Sequence, residues 1–394
     1  MKKTVLLRAP ILTHSGYGVH ARQVAKWLYS KEKELNLDIY CQLLKWGITP
    51  WNLDMNDEFV LRTLEYDAKR QRDGKKEYDV TIQLQLPNEW NSQLGKYNIG
   101  MTAGVEADKC NPYWIECINK MNLVIVPSTF VKTTFENTGK CETPIYVIPE
   151  SYPESFNSEM TVKHEFLDKL ETSFNFLVVG QITSNHIDAD RKNIPYTIKW
   201  LAETFYNSPD VGVIIKTNMG RYTEVDYMQT NAFLTRIIHN VKRGPWPVFY
   251  LLHKNLSDIE MASLYKHRSI KALISLTHGE GFGLPILEAA ASGLPVIATS
   301  WSGHMDFLKL GKFISIEYTL ADIHPARMDN MIFINGMKWA YPSEKDFKNR
   351  VKMFYKDPSK PMLWAKELKN KIVAQYSFAE ISKKYDEILS KVLV

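Results

Sequence analysis

Glu280 and Glu288 are carboxylates separated by Gly281-Phe282-Gly283-Leu284-Pro285-Ile286-Leu287, and the residues around them give the pair a setting. Ala272 to Leu276 reads as a strand, Thr277 to Gly283 as a glycine-rich turn, and Leu284 to Ser292 as a helix with Pro285 in its first turn and Gly293 as its stop. A helix that begins there offers unpaired N–H groups and the positive end of its dipole to an anion, and the glycines let the backbone come close. A diphosphate fits such a cradle. Glu280 lies in the turn and Glu288 inside the helix, so the two carboxylates face different parts of one ligand and have separate jobs. A bare pair of glutamates at this spacing is common as a loop carboxylate plus a helix-start residue. The full string His278-Gly279-Glu280 through Pro295-Val296-Ile297-Ala298 tips the reading towards function.

Further polar groups fall in loops after strand-like runs. Asp190-Arg191-Lys192-Asn193 closes a polar loop after Phe174 to Val179 and brings two adjacent cations. Asp188-Ala189-Asp190, in the same loop, has the form of a carboxylate pair that could bridge a diphosphate through magnesium, but it reads as coincidence. Ser15-Gly16-Tyr17-Gly18-Val19-His20-Ala21-Arg22 leads from the first strand into a helical pattern, although its spacing is not the dinucleotide-binding glycine fingerprint. Glu106 lies in Gly104 to Lys109, after the run Asn98 to Met101. A carboxylate there could take a proton from a hydroxyl. Ser128 caps a helix that begins near Phe130. Trp46, Trp51 and Trp90 stand in loops of the first half, where packing under a loop is the preferred reading over stacking on a ligand. The basic cluster Lys69-Arg70-Gln71-Arg72, with Lys75-Lys76, reads as a solvated turn around Asp73-Gly74.

The elements that must position these groups alternate along the chain. The 394 residues exceed one ordinary core, and 45% hydrophobic with 24% charged residues is a globular composition, so two domains are expected. Short apolar runs alternate with longer helical patterns twice over, which predicts two α/β domains with parallel sheets. In the first half the strands are Thr4 to Leu7, Ile39 to Leu43, Val80 to Leu84, Asn98 to Met101, Leu123 to Val126 and Ile145 to Ile148. In the second they are Phe174 to Val179, Val211 to Lys216, Val248 to Leu252, Ala272 to Leu276, Val296 to Ala298 and Phe313 to Ile316. Domains are expected at 1–158 and 173–376, with a linker between Ser155 and Thr172 and a helix at 377–394 packing back on the first domain. Three helices end the chain. Ligand sites in such folds lie at the carboxyl ends of strands. Net charge of +5 tolerates an anionic partner without demanding nucleic acid. Four dispersed cysteines read as reduced thiols, and the N-terminal apolar run is too short for a signal peptide, so a cytoplasmic location is expected.

The string Glu280-Gly-Phe-Gly-Leu-Pro-Ile-Leu-Glu288, continued by Ala289-Ala290-Ala291-Ser292-Gly293-Leu294-Pro295, resembles the signature of the retaining glycosyltransferase family 4. The resemblance implies a GT-B fold, two Rossmann-like doubly wound domains facing across a cleft, with the acceptor on the first domain and a nucleotide-diphosphate sugar donor on the second. It implies that Glu280 contacts the donor sugar near the reacting carbon and Glu288 bonds the ribose. Gly281, Phe282, Gly283 and Leu284 form the donor turn, and Lys192 with Arg191 neutralises the diphosphate, Gln181 standing where the family has an arginine. Gly16 and Gly18 would approach the diphosphate, and Glu106 would sit beside the reacting sugar. Cations and helix ends then replace a metal, and no cofactor is required beyond the nucleotide-sugar. Ser15 to Arg22, Val105 to Trp114, Phe174 to Lys199 and Gly279 to Leu308 are also similar to glycosyltransferases of tailed phages. That likeness adds hydroxymethylated DNA bases to glycans, lipids and small molecules as acceptors, and the host cytoplasm as the setting. A nucleotide-sugar epimerase or hydrolase, and a non-catalytic binder of nucleotide-sugar or nucleic acid, are the alternatives.

Overall fold

The structure, a computed structural model, describes residues 2–157, 161–163, 165–241 and 244–394. Ser158, the expected end of the first domain, and linker residues 159, 160 and 164 lie outside the described residues. The chain forms two compact units. The first comprises Met1–Val105, Lys109–Ser151 and Phe378–Val394, and the second Glu106–Asp108 and Tyr152–Ser377.

The first unit is built on six strands, β1 (Lys3–Ala9), β2 (Leu37–Leu43), β3 (Tyr78–Leu84), β4 (Gly95–Met101), β5 (Leu123–Val126) and β6 (Ile145–Val147). They pair in the order β2-β1-β3-β4-β5-β6, all parallel. Val5, Leu6 and Leu7 of β1 are all buried, as expected of a central strand covered on both faces. Helix Gly16–Lys31 follows β1, its amides capped by Ser15, whose hydroxyl accepts from Gly18 N at 2.9 Å. The C-terminal helix Phe378–Leu393 belongs to this unit. Its Ile381, Tyr385, Leu389 and Leu393 recur every four residues and are buried in the sheet's core, each such side chain contributing about 1.5–3 kcal/mol. Asp386 on the same helix accepts from Trp27 Nε1 at 2.9 Å and pairs with Lys31 at 3.0 Å.

One reading of the first unit is corrected. Lys69 to Arg72 is no solvated turn but the last turn of helix Glu58–Asp73, which Gly74 ends in the left-handed conformation. Two of the cluster's cations are engaged, while Arg72, Lys75 and Lys76 stay exposed. Lys69 pairs with Asp38 at 2.5 Å over the Tyr40 ring, and Arg70 donates to the Cys41 carbonyl at 3.0 Å.

The second unit repeats the plan with β7 (Phe174–Val179), β8 (Val211–Lys216), β9 (Val248–Leu252), β10 (Ile270–Ser275), β11 (Val296–Thr299) and β12 (Ile314–Ile316). Their order is β12-β11-β10-β7-β8-β9, again all parallel. The expected pair of parallel, doubly wound sheets is therefore present. Chain order runs outward from β7 to β9, then jumps back to β10 and runs outward the other way. The reversal falls between β7 and β10, and ligands bind outside the carboxyl ends of strands at such a point. An element not anticipated from the sequence follows β12: an antiparallel hairpin of β13 (Tyr318–Asp322) and β14 (Lys338–Pro342). Helices Glu344–Lys356 and Ser359–Tyr376 complete the unit.

Candidate active site

The loops that leave β7 and β10 carry Arg191, Lys192 and Glu280 to the reversal point. Lys192 Nζ lies 2.7 and 2.9 Å from the two carboxylate oxygens of Glu280, and Arg191 Nη1 lies 3.4 Å from one of them. Arg191 also donates to the Gly279 carbonyl at 2.6 Å and pairs through Nη2 with Glu106 at 3.2 Å. Four charged residues from three distant stretches thus meet in one knot. Burial alone would raise the Glu280 carboxyl, but the charges of Lys192 and Arg191 outweigh it and hold the group at about 2. Glu280 is ionised at neutral pH.

The loop after β7 is folded by the carboxylate that resembled a metal ligand. Asp190 is fully buried and accepts from Thr183 N and Oγ1, both at 2.8 Å, and from Ile194 N at 2.9 Å. Asn193, in the left-handed region at φ 54°, donates to the Leu276 carbonyl at 3.0 Å and ties this loop to the end of β10. Gly279 is demanded by packing, since a Cβ there would stand 2.5 Å from the Glu106 carbonyl oxygen. That close approach brings Glu106 to Arg191.

Helix Leu284–Ser292 starts as the sequence reads it, with Gly283 at φ 100° before its first residue and Gly293 at φ 78° after its last. The Phe282 and Leu284 side chains are buried, and Phe282 packs on Phe307 with ring centres 5.4 Å apart. Both side chains therefore serve packing, and Leu284 is the first residue of the helix, after its cap Gly283. Glu288 lies further along, partly buried. Burial raises its carboxyl to about 8, against the Tyr265 hydroxyl and the Lys216 ammonium, which pull it down. The two glutamates of the motif thus differ in protonation at pH 7.

Supporting residues come from His278 in the glutamate turn and from the loop Ser302 to His304. Ser302, at φ 89°, accepts from Glu280 N at 2.9 Å, and Gly303 N donates to the Glu280 carbonyl at 2.9 Å. A Cβ on Gly303 would collide with the Gly281 carbonyl. His304 is buried with Nε2 2.7 Å from the Thr299 carbonyl, and His278 has Nδ1 2.7 Å from the Ala340 carbonyl. Ala340 N returns a bond to the His278 carbonyl at 3.1 Å, and the His278 ring lies flat on Trp339, centres 5.1 Å apart. Burial pushes the His278 imidazole down to about 4, so it is a neutral clamp between the hairpin and the glutamate turn.

In the first unit, Gly18 is required because a Cβ would overlap the Thr13 carbonyl, whereas a Cβ on Gly16 would meet open space. Tyr17 stacks on Trp46 at 3.8 Å and its hydroxyl is 2.9 Å from Thr102 Oγ1. His20 is buried, with Nε2 3.3 Å from the Tyr385 hydroxyl. Trp90 covers Gly100, whose missing side chain makes the room. These aromatics serve packing.

Among the described residues, His186, Asp188 and His324 place one potential metal-ligand atom each within 4.8 Å of the others. Their geometry fits a loop clasp instead. Nδ1 of His186 accepts from Asp188 N at 3.3 Å and Nδ1 of His324 from Ala326 N at 3.2 Å, which leaves the proton on each Nε2. The two rings stack at 4.7 Å rather than aiming their edges at one point, and Asp188 accepts from the Tyr196 hydroxyl at 2.5 Å.

Residues 248–324 match the family model of Glycosyl transferases group 1. A stretch of 144 residues, 36% of this chain, is 29% identical to a "Probable sucrose-phosphate synthase" of Thermosipho melanesiensis and spans 30% of that relative's length. Among solved structures, the sucrose-phosphate synthase of Thermosynechococcus elongatus superposes with a TM-score of 0.65 at 12% identity, covering 99% of both chains. Anabaena Alr3699/HepE in complex with UDP and glucose gives 0.62 at 13% identity, covering 99% of this chain and 100% of that one. The fold is that of the GT-B glycosyltransferases. Among the described residues no helix is long and apolar enough to cross a membrane.

Proposed function

We propose that this chain is a glycosyltransferase that moves a sugar from a nucleotide-diphosphate donor to a hydroxyl acceptor with retained anomeric configuration and without a metal. The observation that carries the reading is the knot of Glu280, Lys192 and Arg191 at the strand-order reversal, where the fold places ligands. The matched segment 248–324 and the resemblance of the glutamate string support it.

In this mechanism the amides at the start of helix Leu284–Ser292 and the Lys192 ammonium stabilise charge that develops on the leaving diphosphate. Ionised Glu280 holds Lys192 and lies next to the donor sugar, while Glu288 takes the ribose hydroxyls. The bond between the anomeric carbon and the diphosphate oxygen breaks as the acceptor oxygen attacks from the same face. The acceptor's proton passes to the departing diphosphate. Glu106 fixes Arg191 and is the rival proton acceptor. Glycans, lipids and small molecules are the favoured acceptors. Modified DNA is less favoured, because Lys69 and Arg70 of the basic cluster are held by Asp38, Asp67 and the Cys41 carbonyl, which leaves only Arg72, Lys75 and Lys76 exposed.

The test is product stereochemistry. Incubation with a panel of nucleotide-sugars and with glycan, lipid and hydroxymethylated DNA acceptors, followed by NMR of the new glycosidic bond, is expected to show the donor's anomeric configuration. An inverted product contradicts the retaining mechanism. Donor consumption that needs no acceptor favours an epimerase or hydrolase, and activity lost to EDTA and restored by magnesium contradicts metal independence.

A further inference from the structure

The cations of the knot are already committed. Arg191 and Lys192 face Glu280 and Glu106, two charges against two, and Arg191 spends a further N–H on the Gly279 carbonyl. A nucleoside diphosphate brings further negative charge, and Lys192 can meet it only while shared with Glu280. Arg327 is placed differently. It ends the short 3-10 turn Pro325–Arg327 in the connection between β13 and β14, just beyond the matched segment 248–324. That turn packs against the turn Ile187–Ala189, which leads directly into Arg191 and Lys192, and the stacked rings of His186 and His324 join the two.

The Arg327 guanidinium lies over the Phe333 ring, 4.5 Å from its centre, a platform that orients the group without neutralising it. Among the described residues its buried Nε has no hydrogen-bond partner and the guanidinium forms no ion pair. Asp329, the nearest acidic side chain in the same connection, is occupied by the amides of Met331, Ile332 and Phe333 at 2.7–3.0 Å. Burial and the like charge of Arg191 lower the Arg327 pKa, against the more weakly felt carboxylates of Asp329, Glu106 and Asp190, which puts Arg327 in the electrostatic neighbourhood of the knot. A buried N–H without a hydrogen-bond partner, on a partly buried guanidinium beside a second cation, is costly unless an anion completes it.

We propose that Arg327 binds the diphosphate of the nucleotide-linked donor, as an extra cation delivered by the hairpin rather than by the loops after β7 and β10. This inference rests on the donor reading above. A guanidinium also gives the planar, two-pronged contact to phosphate oxygens that a lysine lacks.

Calorimetric titration of the full chain with UDP, GDP and ADP and with the matching monophosphates tests it, using wild type, Arg327→Gln and Arg327→Lys. For whichever diphosphate binds, Arg327→Gln is expected to weaken binding about 10–100-fold, the monophosphate by less than about threefold, with a flatter salt dependence. Arg327→Lys should recover part of the loss. Diphosphate binding by Arg327→Gln within about twofold of wild type would overturn the proposal. So would an equal loss for mono- and diphosphate in both variants, which marks a structural role. Failure of wild type to bind any of the diphosphates overturns the donor reading itself, and the inference with it.

Discussion

Glu288 is the group whose protonation should change most on nucleotide binding. With its carboxyl raised to about 8 by burial, it is about 90% protonated at pH 7 in the free protein. Ribose hydroxyls donate best to the ionised form, so binding must expel the proton. If only ionised Glu288 binds, association at pH 7 releases about 0.9 proton, and affinity rises about eightfold from pH 7 to pH 8.5 as the ionised fraction grows from about 0.09 to about 0.76. Calorimetry in buffers of different ionisation enthalpy reads the released proton directly. Glu288→Gln, which cannot titrate, supplies the reference against which the nucleotide's own phosphate ionisation is subtracted. Equal proton release and equal pH slope in wild type and Glu288→Gln would refute the reasoning, as would proton uptake.

The same carboxyl affects stability with the opposite sense. Its folded value lies above its unfolded one, so the native state binds the extra proton between about pH 4.5 and 8 and stability falls as pH rises through that window, by at most about 5 kcal/mol. Glu288→Gln should therefore gain thermal stability over wild type at pH 8 and little at pH 4, as melting curves at the two pH values will show. Glu280→Gln removes the charge that holds Lys192 and should lower turnover by about 10²–10⁴-fold while the chain still folds, measured as nucleotide diphosphate release and circular dichroism. Gly279→Ala forces a Cβ against the Glu106 carbonyl and should destabilise the chain by about 1–3 kcal/mol in urea titration.

The parallel strands could be read from the sequence because each is a short, nearly continuous apolar run, and Phe174–Val179, Val211–Lys216 and Val248–Leu252 end where the residues imply. The helix Leu284–Ser292 was legible for a different reason, since Pro285 and Gly293 mark its ends chemically. The hairpin of β13 and β14 gave no such signal. Thr319 to Asp322 are exposed on both faces, so their side chains carry no alternation, and a long connection replaces the short glycine turn that announces a hairpin. Lys69 to Arg72 misled because Asp73-Gly74 looks like a turn, whereas Gly74 is a helix stop. Within the site, the glutamates and the Arg191-Lys192 pair could be named from type and spacing. Their meeting across some 88 residues follows from the order in which β7 and β10 pair, which no local pattern encodes. The loop Ser302 to His304 was legible only as a likeness, because its residues act on the Glu280 backbone rather than on a ligand, and Arg327 was missed because it lies in an irregular connection.

The central claim is that Glu280 and its cations handle a nucleotide-linked sugar. The most direct measurement is release of nucleoside diphosphate from a panel of nucleotide-sugars by wild type, Glu280→Gln and Lys192→Ala, each in the presence of the acceptor panel. Acceptor-dependent release by wild type from at least one donor, falling at least a hundredfold in both variants, is the predicted result. Equal release by wild type and Glu280→Gln, or none from wild type with any donor and acceptor, would contradict it.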